Sequence, residues 1–178
     1  MKSLKFSLII LFIISIGTIS KAQLSFNQSY GFGVLLSNSG GPTIDYSPRL
    51  NIIQLGDEAS LSIGTHLALC AIVMDGEGLY GFSAPIMGEF NFGLGSGPDA
   101  YANIGGFIGA GFAYSMLNDF DGYEYNKAMG PIFNAGITGY IFDHPMGLRV
   151  SYQQNTSMKY VSKGYSDALT IGIYIVVE

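Results

Sequence analysis

Residues 80–93, with the sequence YGFSAPIMGEFNFG, decide the fold class of this chain. Successive side chains of a β-strand point to opposite faces, so residues of one parity form one row. The even-numbered row is apolar and includes Tyr80, Phe82, Ala84, Ile86, Phe90 and Phe92. Glu89 lies on the other row with Ser83 and Asn91. The stretch therefore predicts a strand with one apolar face and one polar face that carries a carboxylate.

Pro85 falls on the polar row of the same stretch and has no backbone N–H to give to a neighbouring strand. We therefore expect a local bulge or a missing hydrogen bond there. Aromatic residues stand at both ends of the apolar row, which is typical of the girdles that flank a lipid-facing band about 25 Å tall.

The composition is too apolar for an ordinary soluble domain. The chain has 178 residues, of which 48% are hydrophobic and only 12% charged, with 25 glycines and no tryptophan. After the N-terminus no apolar run reaches the roughly 18 residues that a membrane-spanning helix needs. We therefore expect a surface that does not all face water, and no helical membrane bundle.

The N-terminus has the organisation of a signal peptide. Lys2 and Lys5 precede an apolar stretch over residues 6–16, and Ser20-Lys21-Ala22 provides small residues for a peptidase. We expect cleavage after Ala22, which divides the chain into a signal peptide (1–22) and one barrel domain (23–178); an uncleaved anchor is the alternative. Cys70 is the only cysteine, so neither a lipoprotein anchor at this site nor an intrachain disulfide is expected.

Loss of the signal peptide makes the chain more acidic. Removing Lys2, Lys5 and Lys21 leaves five basic against thirteen acidic residues, a formal charge of −8. A nucleic-acid partner needs a basic footprint, so none is expected.

From residue 24 onward the dominant hydrophobic period is two, which is the period of a strand. Turn-forming residues separate eight such segments: 25–37, 43–54, 60–73, 80–93, 101–116, 130–142, 147–158 and 167–177. The two longest connections, 117–129 and 159–166, are expected at the outward end. Eight strands of this length predict an all-β fold, an eight-stranded antiparallel up-and-down transmembrane β-barrel that follows a cleaved signal peptide.

The polar row separates a membrane barrel from a soluble calyx. A water-facing row should be rich in Lys and Glu, but this row is mostly Gly, Ser, Asn and Thr. Its glycines, such as Gly31, Gly109 and Gly136, indicate a narrow interior. Four charges that sum to zero remain on it, namely Asp45, Arg49, Glu89 and Arg149. We expect them to pair as a structural network in a nearly dry lumen, with Glu89 within reach of Arg49 or Arg149.

With its eight segments, its signal peptide and repeats such as YGFSAPIMGEFNFG and NIGGFIGAGFAY, residues 24–178 resemble the small eight-stranded outer-membrane barrels of Gram-negative bacteria, of the OmpA/OmpX kind. The resemblance implies the cell outer membrane as location, and outer-membrane lipid and lipopolysaccharide as partners. One feature departs from the family: such barrels commonly end in an aromatic residue, whereas this chain ends Ile175-Val-Val-Glu178.

No catalytic, cofactor or metal site is expected. NDFDGYE (118–124) resembles a calcium loop, but alignment on its glycine puts Leu117 and Ala128 at the first and last ligand positions. GFIGAGFAY lacks the GxGxxG order. His66, which falls on the lumen row, and His144, which falls in a periplasmic turn, have no partnered carboxylate or second histidine at ligand spacing.

The sequence therefore predicts a non-enzymatic envelope protein with a structural or surface-interaction role. An extracellular ligand or protein would meet the outward loop over residues 117–129, where Tyr123 and Tyr125 are candidate contacts. A narrow pore and a secreted soluble barrel that binds a lipid-like ligand are the alternatives.

Overall fold

A computed structural model describes residues 24–36, 40–74, 77–97, 100–119, 125–159 and 167–177. The expected signal peptide and its cleavage site lie outside the described residues, as does Tyr123. Among the described residues, no helix is long and apolar enough to cross a membrane.

The described chain forms one closed antiparallel sheet. Its strands are β1 Ser25–Leu36, β2 Gly41–Gln54, β3 Ala59–Gly64, β4 Leu67–Met74, β5 Glu77–Gly93, β6 Ile104–Asp119, β7 Tyr125–Ile141, β8 His144–Gln153, β9 Ser157–Lys159 and β10 Ala168–Val177. Each barrel strand pairs with its neighbours in sequence, and β1 pairs with both β2 and β10. Closure leaves the barrel without a free sheet edge, except that, among the described strands, the short strand β9 pairs on one side only, with β7.

β4 continues β3 and β9 continues β8, so the barrel has eight strands around its circumference, as predicted. β3 and β4 keep the same register against β2 and against β5 on both sides of Thr65 and His66. β9 continues β8 after residues 154–156, with its register against β7 shifted by one residue, as at a β-bulge. The end that holds Ser25 and Val177 is called here the inner end, and the opposite end the outer end.

The break between β3 and β4 has a local cause in two prolines. The common register puts Pro48 opposite Thr65 on one side and Pro85 opposite His66 on the other. Proline cannot donate to a ladder, and the pairing of β5 with this neighbour lapses over residues 84–86. The disruption expected at Pro85 is confirmed.

Two sequence-based expectations about connections are wrong. The predicted loop over 117–129 is much shorter, because β6 continues to Asp119, β7 begins at Tyr125, and Asn118 pairs with Tyr125. By the bounds of the described strands, the longest connection is at the inner end, where ten residues over 94–103 join β5 to β6. Backbone pairing extends the outer hairpin, whereas the inner connection folds into the barrel mouth, as shown below.

The barrel is apolar outside and polar inside. Among the described residues, 31 large hydrophobic side chains are exposed, whereas the buried set contains 8 hydrophobic and 15 polar or charged residues. The predicted rows of β5 are confirmed, since Ile86 is 73% exposed and Glu89 only 2%. An apolar belt around a polar lumen is the arrangement that a lipid environment requires.

Replacement of Ile86 by arginine is expected to lower the free energy of unfolding in lipid vesicles by about 2–4 kcal/mol, because it places a charge near the bilayer midplane. Ile104 has the same 73% exposure but begins β6 at the inner rim. Its replacement by arginine should cost only about 0–1 kcal/mol. Urea unfolding of both variants measures the difference, and equal losses would contradict this placement of the belt.

Candidate functional site

The polar residues of the barrel meet at mid-height in the lumen. Asp45, Ser47 and Arg49 share one face of β2, because alternate residues of a strand point the same way. Glu89 on β5 and Arg149 on β8 point to the same space. We call this group the lumen cluster; it also includes His66, Asn91 and Asn134, which bond to its charged members.

Arg49 and Glu89 form the inner ion pair of the cluster. Arg49 Nη1 lies 3.6 Å from Glu89 Oε2, with the Glu89 side chain fully buried. This separation is too long for a hydrogen bond. The guanidinium instead donates to Asn91 Oδ1 at 2.6 Å and stands over the Phe107 ring, 5.7 Å from its centroid. Packing and hydrogen bonds therefore hold Arg49 where its charge balances the carboxylate.

Arg149 and Asp45 form the outer ion pair, through Arg149 Nη2 and Asp45 Oδ2. The second terminal nitrogen of Arg149 donates to Ser47 Oγ at 2.7 Å and lies 2.7 Å from His66 Nδ1. The guanidinium also lies over the Tyr174 ring, 5.7 Å from its centroid. Both buried charges of this pair are thus compensated within the lumen.

His66 joins the two ion pairs. A guanidinium has only donors, so His66 Nδ1, which faces Arg149, must be the acceptor. The proton then lies on Nε2, which is 2.7 Å from both Glu89 Oε1 and Asn134 Nδ2 and donates to the carboxylate. Asn134 Nδ2 donates to the same carboxylate oxygen at 3.2 Å. This arrangement requires a neutral imidazole, so the four charges of the cluster sum to zero.

Glycines on the opposing strands make room for these side chains. A Cβ atom on Gly31 would lie 2.5 Å from Asp45 Oδ2, and one on Gly109 would lie 2.7 Å from Glu89 Cγ. Both separations are too short for non-bonded atoms. The lumen is therefore filled by a few large side chains that face positions with none.

A turn closes the inner end of the lumen. Gly93 and Gly95 have φ values of 62° and 84°, which favour glycine, and they direct residues 94–97 into the barrel mouth. The carbonyl of Gly95 accepts from Asn27 Nδ2 at 3.0 Å and from Arg49 Nη2 at 3.4 Å. The Ser96 carbonyl accepts from Asn51 at 3.2 Å. We call residues 94–97 the inner plug.

The lumen cluster separates two cavities of unequal size. The outer cavity has a volume of about 80 Å³ and the inner one about 10 Å³. His66 and Arg149 line both cavities, so they form the partition between them. The described residues thus divide the lumen into a small space above the inner plug and a larger space in the outer half.

The cluster has few of the features that catalysis needs. Ser47 Oγ, the nearest hydroxyl to the charged groups, accepts from Arg149 and lies 3.4 Å from Asp45 Oδ2, so its contacts are with the charged side chains and not with the imidazole. Among the described residues, no group of three or more His, Cys, Asp and Glu side chains could hold a metal ion. The arrangement fixes charges in place and fills the lumen.

The structure brings all four sequence-predicted site residues into one group, as two separate pairs: Arg49 with Glu89, and Asp45 with Arg149.

The expectation that His66 has no partnered carboxylate is wrong. Spacing along the chain could not reveal the contact, because residues 66 and 89 meet across strands. The row assignment, which put His66 in the lumen, was the available signal. His144 begins β8 at the inner end and is exposed.

The inner plug was not predicted either. Its signal was the glycine pattern of Gly93-Leu-Gly-Ser-Gly97, together with the asparagines at positions 27 and 51 on lumen rows. Glycine-rich connections are common in turns, so this pattern alone did not distinguish a turn that folds inward from one that stays outside.

Comparison with known proteins supports the fold. No family model matches the chain, and no curated protein matches it by sequence. The structure is similar to Neisserial surface protein A (NspA), with a TM-score of 0.51 and 11% identity over 86% of this chain and 98% of that chain. Pseudomonas aeruginosa OprG (TM-score 0.49, 9% identity, 86% and 96% coverage) and the N-terminal barrel of its OprF (0.48, 12%, 87% and 100%) also match.

The closed ring, the apolar belt and the polar lumen define an outer-membrane β-barrel, located in the cell outer membrane. The chain has the fold of the small eight-stranded barrels, the fold of NspA, at a sequence identity that shows the fold alone. The soluble calyx is excluded, because such a protein would expose most of the 31 large apolar side chains on the outside of the described barrel to water.

Replacement of Glu89 by alanine is expected to lower the free energy of unfolding by about 3–5 kcal/mol, because it leaves Arg49 buried without its counter-charge. The double variant Arg49→Ala/Glu89→Ala should lose less than the sum of the two single variants. Glu58→Ala, which changes an exposed acid in the β2–β3 turn, is the control and should stay within about 0.5 kcal/mol. Additive losses in this cycle would show that the two side chains are not coupled.

Proposed function

We propose that this chain is a non-enzymatic, non-conducting outer-membrane barrel that acts at its outer end, as an envelope structural protein or by contact with a surface partner. The closed lumen carries the proposal. A barrel that is filled by its own side chains has no passage to offer, so its function falls to the surfaces that it displays.

Closure of the lumen has two components. The lumen cluster occupies the middle, and each of its charges has an opposite charge and further bonds. The inner plug occupies the inner mouth and bonds to Asn27, Arg49 and Asn51. Opening a path would separate buried charges from their partners, which is costly in a medium of low polarity. This disfavours the narrow pore.

Three strands display a surface at the outer end. β5, β6 and β7 contain 17, 16 and 17 residues, whereas a tilted strand crosses a membrane in about 9–11. Each of these strands starts or ends at the inner rim, so its surplus length lies outside the outer leaflet. The β6–β7 hairpin, which includes most of the predicted partner segment 117–129, is the proposed contact for an extracellular ligand or protein. Lipid and lipopolysaccharide would surround its base.

The purified barrel is expected to give no discrete conductance steps in a planar lipid bilayer, because the cluster and the inner plug block the lumen. A trimeric porin reconstituted in the same way checks that the assay detects channels. Reproducible steps from the chain itself would favour the pore and contradict this proposal.

Replacement of residues 117–126 by Asn-Gly should abolish the surface role and leave the barrel intact. Met116 pairs with Lys127, so a two-residue type I′ turn can join them without a change of register. Folding is checked by the difference in gel migration between heated and unheated samples. Each variant is tested by complementation of a deletion strain, scored for detergent resistance and for binding of whole cells to surfaces.

A variant with residues 117–126 in shuffled order is the matched control, because it keeps the length and composition of the hairpin. Loss of function in both variants would assign a sequence-specific contact to this segment. Full function of the Asn-Gly variant would place the role in the barrel body instead.

A further inference from the structure

The outer cavity is the larger of the two lumen cavities. Its volume of about 80 Å³ is enclosed by residues from several strands around the barrel. Most of the lining side chains are small, which is why a space remains there while the level of the lumen cluster is filled. The proposed function makes no use of this space.

The cavity wall is largely apolar. Leu35 on β1, Ala68 on β4, Ile132 on β7 and Ala168 on β10 contribute to it from different sides. The floor is formed by Asp45, His66 and Arg149, the outer members of the lumen cluster. A molecule in this space would therefore have its sides against hydrocarbon and one end against polar groups.

The floor offers no charge to a ligand. Arg149 is paired with Asp45, and the bonding of His66 requires a neutral ring. An added cation or anion would be buried without a counter-charge, at a large desolvation cost. The space therefore favours an uncharged molecule.

The wall does offer hydrogen bonds. Ser115 Oγ lies 3.0 Å from Ser83 Oγ and 2.9 Å from Gln153 Oε1, and both hydroxyl oxygens keep capacity to accept. Thr43 Oγ1 also lines the cavity, and it has no hydrogen-bond partner among the described residues. A ligand with one hydroxyl group would suit this lining.

The volume limits the size of the occupant. One water needs about 10–15 Å³ measured in this way, so the outer cavity has room for about five to eight non-hydrogen atoms. We propose that the outer cavity is a binding site, entered from the outer end, for a small uncharged molecule with an apolar body and one hydroxyl group.

Cys70 provides a reporter for the test, because it lines the cavity and is the only cysteine of the chain. The rate at which a small methanethiosulfonate labels the purified barrel in lipid nanodiscs is measured with and without 1-pentanol. At four times its Kd the alcohol should slow labelling about fivefold, since only unoccupied sites react. Pentylammonium and pentanoate, which have the same chain but a charge, should leave the rate unchanged.

Two alanine substitutions test the location. Ala68→Leu fills part of the outer cavity and should remove the effect of pentanol, whereas Ala110→Leu makes the same change on the lipid-facing side of β6 and should retain it. Cys70→Ser/Asp57→Cys moves the thiol to an exposed inner turn, where pentanol should have no effect.

Protection of Cys70 by pentanol alone, absent from the Ala68→Leu and Asp57→Cys proteins, establishes the site. Three results would overturn the proposal: a Cys70 thiol that does not react in the free protein, an equal effect of pentanol on the Asp57→Cys thiol, or equal protection by the charged analogues.

Discussion

The constraint on which this structure depends is that backbone polar groups inside a bilayer must be satisfied within the protein. A closed ladder from β1 around to β10 meets it almost everywhere. One interruption is at Thr65 and His66, where Pro48 and Pro85 on the flanking strands supply no donors and Thr65 N keeps its bond to the Pro48 carbonyl at 3.1 Å. Irregular backbone is tolerated in a membrane where it adjoins a polar interior. Here the same residue that interrupts the ladder, His66, places its imidazole between Glu89 and Arg149. This interruption of the ladder is therefore backed by the hydrogen bonds of the lumen cluster.

The interior follows a rule of complementary sizes. Phe107 stands where a Cβ on Gly136 would lie 2.5 Å from its ring, and the Tyr174 ring occupies the space beside Gly147. The same holds for the charged residues, with Gly31 beside Asp45 and Gly109 beside Glu89. In an eight-stranded barrel the interior is only wide enough for side chains to fill it. A large residue on one strand thus requires an absent side chain on the next, and Gly31, Gly109, Gly136 and Gly147 are positions where the neighbouring side chain needs the room. This pattern closes the lumen, because large side chains occupy the space that a path would need.

Most of this fold could be predicted by assigning alternate residues of each strand to opposite faces, because the side chains of a strand repeat with a period of two. This assignment put Glu89 inside and Ile86 outside, and it placed Asp45, Arg49 and Arg149 in the lumen. It left open which arginine would meet Glu89, because that depends on the stagger of strands around the ring, which no local pattern encodes. His66 was assigned to the correct face but not to its partner for the same reason. The extent of the outer hairpin was missed because turn-forming residues at 118–127 also tolerate a paired strand, and the inner plug because the direction of a glycine-rich turn is a tertiary property.

The lumen cluster connects the closure of the barrel to the shape of its outer half. Arg149 and His66 belong to the group that blocks the middle of the lumen, and the same two side chains form the floor of the outer cavity. Their position is fixed from below by Glu89 and from the side by Asp45 and Ser47. The depth of the outer cavity is therefore set by an ion-pair arrangement and not by the apolar wall above it. A substitution that releases Arg149 would deepen this cavity and weaken the block at the same time. The bonding that fills the middle of the lumen is thus also what gives its outer end a defined, neutral recess.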